Sequence, residues 1–156
     1  MKSVCILLLT VLCVEIAQST DVSECILGTG VLPELVEIVD CNKSPCTFYI
    51  NGETSMTMKF RSPRYLEHFR PNALALAMGI NISYPLQQDD GCVGVTNTPC
   101  PLANGEYIEY TYSMFILPIF PKISFTLEFG LIDNDQNDEQ VECFRLDVQL
   151  EDLPDE

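Results

Sequence analysis

The chain has 156 residues, 47% of them hydrophobic with no Trp, and carries a formal net charge of −15. With 8 Lys and Arg against 23 Asp and Glu, it lacks the clustered cations that phosphate contacts require, which excludes a nucleic-acid partner. The same scarcity disfavours electrostatic attraction to acidic lipid headgroups, and the acidity itself keeps an apolar-rich chain dissolved.

Residues 1–19 read as a secretory signal peptide: Lys2 gives the positive start, Val4 to Val14 the apolar run, and Ala17-Gln18-Ser19 a small-x-small cleavage site. The run is shorter than the roughly 20 apolar residues that span a bilayer. No second run of spanning length follows, so one domain over residues 20–156 is expected, secreted to the extracellular space or held in the lysosomal lumen. Once Cys5 and Cys13 leave with the signal, six cysteines remain: Cys25, Cys41, Cys46, Cys92, Cys100 and Cys143. An even count behind a signal argues for three disulfides, but the count alone leaves many connectivities open. The closeness of Cys41 to Cys46 and of Cys92 to Cys100 suggests two local loops, which would leave Cys25 and Cys143 to tie the ends of the domain.

Taken in order, the chain shows segments of period two broken by Gly, Pro, Asn and Asp, which is the all-β pattern. Val31 to Asp40 is apolar but irregular, and Pro33 marks an edge or bulge. After the tight Cys41–Cys46 loop come a short strand at Thr47 to Ile50 and a turn at Asn51-Gly52. Met56, Met58 and Phe60 alternate with polar residues. Arg61 to Pro71 is charged and turn-rich, and it holds the sole histidine, His68.

From residue 73 to 84 the alternation is strict. Leu74, Leu76, Met78, Ile80, Ile82 and Tyr84 occupy one face, Ala73, Ala75, Ala77, Gly79, Asn81 and Ser83 the other. This predicts one long strand with its large apolar groups inward. Asn81-Ile82-Ser83 is an N-glycosylation acceptor whose Asn81 then faces out, and Asn42-Lys43-Ser44 is a second acceptor.

Ile108, Tyr110, Tyr112, Met114 and Ile116 form another inward series. An apolar corner broken by Pro118 and Pro121 follows, with Phe115, Leu117, Ile119 and Phe120 in need of cover. Ile123 to Leu131 and Phe144 to Leu150 alternate in the same way, separated by an acidic turn, Asp133 to Glu139, read as a solvated hairpin tip. Roughly seven or eight such strands predict a two-sheet antiparallel sandwich, each sheet wet on one side.

Enzymatic chemistry finds no constellation. His68 is a lone base without a G-x-S-x-G elbow, and the mature cysteines are expected in disulfides, so neither a triad nor a zinc site can be assembled. The Asp133 turn imitates a calcium loop, yet Asp138 and Phe144 stand where an EF-hand needs Gly and Glu. Carboxylates are plentiful, but none sits amid the aromatic clustering expected of a glycosidase. A non-enzymatic protein without metal or cofactor is the expectation. What remains is an apolar interior in which Met56, Met58, Met78 and Met114 could either close a core or line an adaptable cavity.

The cysteines and their neighbours resemble the MD-2-related lipid-recognition (ML) family, most nearly its soluble Niemann-Pick branch. The matching features are Cys25, the Cys41-Asn42-Lys43-Ser44-Pro45-Cys46 loop, Gly52, Asp90-Gly91-Cys92, Cys100-Pro101-Leu102, Phe120-Pro121 followed by Ile123, and Cys143. The resemblance implies an immunoglobulin-like β-sandwich with Cys25/Cys143, Cys41/Cys46 and Cys92/Cys100 paired and a lipid between the sheets. In sterol-binding members a Phe stands at the position matching Tyr84, a Val at Ile116 and a Tyr-Pro at Phe120-Pro121, all at the pocket mouth. Residues expected to line or gate the pocket are Ile80, Ile82, Tyr84, Tyr110, Tyr112, Met114, Ile116, Phe120 and Pro121. The implied ligand is a sterol, a fatty acid or a small semiochemical, carried by a monomer and exchanged with membranes or a lipid-donor or acceptor membrane protein. An extracellular co-receptor that presents a lipid in innate immune recognition is the alternative role within the same family.

Overall fold

The computed structural model describes residues 19–154, so the expected signal peptide, apart from Ser19, lies outside the described residues. Eight strands are formed: β1 (Leu35–Ile38), β2 (Cys46–Ile50), β3 (Glu53–Arg61), β4 (Phe69–Ala77), β5 (Ile80–Ser83), β6 (Tyr107–Phe115), β7 (Ser124–Asp133) and β8 (Glu139–Asp152). They make a three-stranded sheet, β1-β3-β6, and a five-stranded sheet, β2-β8-β7-β4-β5. The result is the expected all-β sandwich, antiparallel except where β2 runs parallel to β8. That exception follows from the Asn51-Gly52 turn, which carries the chain from β2 in one sheet to β3 in the other. Asn51 takes a positive φ of 62° there, and the Gly52 amide donates to the Tyr49 carbonyl at 3.0 Å.

The β3–β6 ladder explains the first apolar series. Met56 faces Tyr112, Met58 faces Tyr110 and Phe60 faces Ile108, and all six are buried. On the wet side of the same ladder the Thr57 and Thr111 hydroxyls bond at 2.9 Å. Period two thus separates a dry face from a wet one, as the sequence requires. In the opposing sheet Leu127, Phe129, Leu131, Phe144, Leu146, Val148 and Leu150 complete the core.

The segment 73–84 departs from expectation twice. It is not one strand: Met78 (φ 50°) and Gly79 (φ 77°) form a tight turn, and β5 folds back on β4 with Ala77 opposite Ile80 and Ala75 opposite Ile82. Positive φ at both central residues suits the twist of a two-residue hairpin. Along β4 the inward face is also the other one, whereas Ile82 and Tyr84 beyond the turn face inward as expected. Phe69, Ala73 and Ala77 are buried while Leu74 and Leu76 are partly exposed. The register of β4 is set by its start at Phe69, inside the stretch read as turn-rich, and by its ladder to β7 from Phe69↔Asp133 to Leu76↔Thr126. That parity turns the alanines inward.

Three disulfides close the structure: Cys25–Cys143, Cys41–Cys46 and Cys92–Cys100. The first joins residues 118 apart, for which chain entropy gives about 4 to 5 kcal/mol of stabilisation. It also anchors the N-terminal segment over β7 and β8. There the buried Glu128 carboxylate accepts the amides of Ile26 (2.6 Å), Leu27 (3.2 Å) and Gly28 (3.3 Å). Those three bonds satisfy the buried carboxylate, to which no ion pair is formed among the described residues.

The acidic turn is exposed from Asn134 to Glu139, as expected, but Asp133 at its start is buried, and the turn is tied down as well. Arg64 pairs with Asp133 and Glu139, His68 with Asp135, and Arg70 with Asp138. Arg64, His68 and Arg70 are therefore spent on a neighbouring hairpin, while Arg61 pairs with Glu34.

Candidate functional site

Between the sheets, at the end where β4 turns into β5, lies a cavity of about 320 Å³. Its position follows from side-chain size. Ala75 and Ala77 face inward where larger residues would have filled the space, and Ile82 and Tyr84 to Pro85 continue the wall beyond the hairpin. Met114 and Ile116 from the end of β6 form the facing wall. Ile123, Phe125 and Leu127 from the start of β7, with Phe48 and Leu150 from the β2–β8 pair, complete the lining. Below them Tyr112 packs on Phe129 at a ring separation of 5.5 Å and Phe129 on Phe144 at 5.8 Å. That aromatic layer belongs to the buried core.

The mouth is closed in part by Tyr84 and Phe120, whose rings lie 5.6 Å apart. The Tyr84 hydroxyl donates to the Phe115 carbonyl at 2.7 Å, joining the strand end of one sheet to that of the other. Burial pushes the Tyr84 phenol above its ordinary pKa, partly offset by the facing Leu117 backbone. Ile119, next to Phe120 in the chain, is 81% exposed, and Ile80, opposite Ala77, is 59% exposed. Pro118 and Pro121 keep the corner from pairing as a strand, so this end of the sandwich stays parted.

Of the residues expected at a pocket, Ile82, Tyr84, Met114, Ile116 and Phe120 line the cavity together. Ile80 does not: it stands opposite Ala77 beside the Met78-Gly79 turn and is exposed. Pro121 is exposed behind Phe120. Tyr112 does not line the cavity but packs on Phe129 in the buried core, and Tyr110 lies there too, its hydroxyl without a partner and its pKa raised mainly by burial.

Residues not anticipated are Phe48, Ala75, Ala77, Ser83, Pro85, Ile123, Phe125, Leu127 and Leu150. The inward alternation of Phe125, Leu127 and Leu150 was readable, but nothing local tied those strands to the cavity. The alanine run was the overlooked signal.

The acceptor Asn81 is exposed on the outer face of β5 opposite Leu76, and Asn42 is exposed in the Cys41–Cys46 loop. The cluster of Cys25, Glu128 and Cys143 offers no metal centre, since its sulfurs are disulfide-bonded and its carboxylate holds three amides. No helix among the described residues is long and apolar enough to cross a membrane.

Comparison with known proteins agrees with this architecture. The chain is similar to the NPC intracellular cholesterol transporter 2 of Sus scrofa, 26% identical over 145 residues, covering 93% of this chain and 94% of that protein. The homolog a from Drosophila melanogaster is 25% identical over 88% of this chain and 92% of its own length. The mite group 2 allergen Lep d 2 of Lepidoglyphus destructor is 28% identical over 67% of this chain and 72% of its own. Among solved structures, a Niemann-Pick type C2 protein from the Japanese carpenter ant superposes with a TM-score of 0.66 at 17% identity, over 86% of this chain and 95% of that one. The ML domain model matches residues 19–150, so the sandwich, its three disulfides and the cavity between its sheets are those of a chain that belongs to the ML domain family.

Proposed function

We propose that this protein is a non-enzymatic carrier that holds a small apolar molecule between its two sheets and transfers it to another membrane or protein. The observation that carries the reading is the cavity of about 320 Å³ whose walls are almost wholly hydrocarbon. A space of that size and character is suited to binding, at the small end of ligand pockets. Moving an aliphatic ligand there from water contributes about 0.8 kcal/mol per buried methylene. The names of two relatives, cholesterol transporters, support a lipid as cargo. A signal peptide over residues 1–19, secretion or delivery to a lysosomal lumen, a monomeric state and glycans at the exposed Asn81 and Asn42 belong to the same reading.

A lipid-presenting co-receptor would need cations near the mouth to meet lipid phosphates. No lining residue is charged, and Lys122, close by in sequence, is paired with Asp152, so no observation favours that role. The carrier reading is tested by offering delipidated protein radiolabelled cholesterol and 1-hexadecanol at micromolar concentration. Retention of either by gel filtration is the expected result, and retention of neither refutes the reading.

A further inference from the structure

We infer that Tyr84 makes the cavity a site for uncharged ligands: with its proton donated across the mouth to the Phe115 carbonyl, no side chain in the lining is left to receive a carboxylate. The inference rests on the carrier reading and narrows its ligand class. No lining residue is charged, and among side chains the lining offers hydroxyls at Ser83 and Tyr84. Ser83 pairs with Leu74 on the outer face of the hairpin, so its side chain points away. The Tyr84 hydroxyl has one proton and gives it to Phe115 at 2.7 Å, so toward a ligand it can only accept.

The backbone amides at the mouth are also engaged. The amides of Tyr84, Ile116 and Phe120 are bound to the carbonyls of Ala73 (2.9 Å), Gly52 (2.8 Å) and Leu117 (3.2 Å). Lys122, beyond the corner, is held by Asp152. A carboxylate drawn into this mouth would lose its hydration and gain no partner, in the field of a chain with net charge −15. An alcohol, ester or sterol hydroxyl would lose little, and an alcohol could donate to the Tyr84 oxygen.

The test compares 1-hexadecanol with palmitic acid, matched in chain length, on the purified delipidated protein. At pH 7.5 palmitate is expected to bind at least about tenfold more weakly than the alcohol, and the gap to narrow toward pH 5 as the acid protonates. Ile82→Arg places a cation at a rim position that is 53% exposed, and it is expected to close most of the gap at pH 7.5. Equal or tighter binding of palmitate to the unmodified protein at pH 7.5 overturns the inference while leaving the carrier reading intact. An unchanged gap in Ile82→Arg, with the variant folded by circular dichroism, overturns it as well. Binding of neither compound removes the carrier reading and this inference together.

Discussion

Ala75 faces Ile82 across the β4–β5 hairpin, and the pair forms one wall of the cavity. The cavity exists because the inward member on β4 is a methyl group. Had the leucines of the same strand faced inward, their side chains would have occupied the space now open.

Ala75→Leu should therefore fill the site from within. The expected outcome is loss of ligand retention in gel filtration with an unchanged or raised melting temperature of the apo protein, because the added methylenes enter existing space rather than a packed core. A lowered melting temperature with retention intact would show that Ala75 does not border the ligand.

At the mouth, Phe120→Asp should abolish uptake without unfolding the domain, since Phe120 is only partly buried and the new carboxylate can reach water. Ile116→Asp is expected to behave differently. Ile116 is 3% exposed, and its amide and carbonyl are bound to Gly52 and Asn51, so a buried charge there costs several kcal/mol and the fold itself. Circular dichroism alongside ligand retention separates the two effects.

Tyr84→Phe removes the hydroxyl that spans the mouth and leaves the Phe115 carbonyl unpaired. About 1 kcal/mol of stability should be lost. Stopped-flow transfer to acceptor vesicles should show ligand release several-fold faster than from the unmodified protein, consistent with a bond of that size opening before the ligand leaves. Unchanged release would mean that the mouth opens elsewhere.

Stability should also depend on Glu142. Its side chain is buried, its Oε2 has no hydrogen-bond partner, and it faces Glu34, itself paired with the exposed Arg61. Burial first, and Glu34 second, push its pKa from 4.5 to about 8. A carboxyl whose folded pKa is raised stabilises the fold fully below its unfolded value, and that contribution is lost as pH rises from about 4.5 to about 8. Glu139 and Asp138 act oppositely: their pKa values are lowered by Arg64 and Arg70, so their contribution fades only in stronger acid. Urea denaturation should thus show stability rising from pH 8 toward pH 5. Glu142→Gln should flatten that rise, and an equally steep rise in the variant would reject Glu142 as its source.

Much of this protein was legible in one dimension. The alternations at Met56 to Phe60, Ile108 to Ile116 and Ile123 to Leu131 gave strands and faces, because each set a continuous apolar series against a polar one. The cysteine spacings and their neighbours pointed to the family and, through it, to the disulfides. The mouth residues Tyr84, Ile116 and Phe120 followed from that resemblance.

Other features were decided only by the tertiary structure. Alternation fixes the parity of a strand, not which parity faces in, and between residues 73 and 84 both faces are largely apolar. The ladder to β7 and the turn at Met78-Gly79 chose the alanine face for β4. Phe48 and Leu150 reach the cavity through the parallel β2–β8 pair, and Glu128 meets its three amides from residues about a hundred positions earlier. A cavity is a property of the space between side chains, and that space is set by which distant strands oppose each other, a relation no local pattern carries.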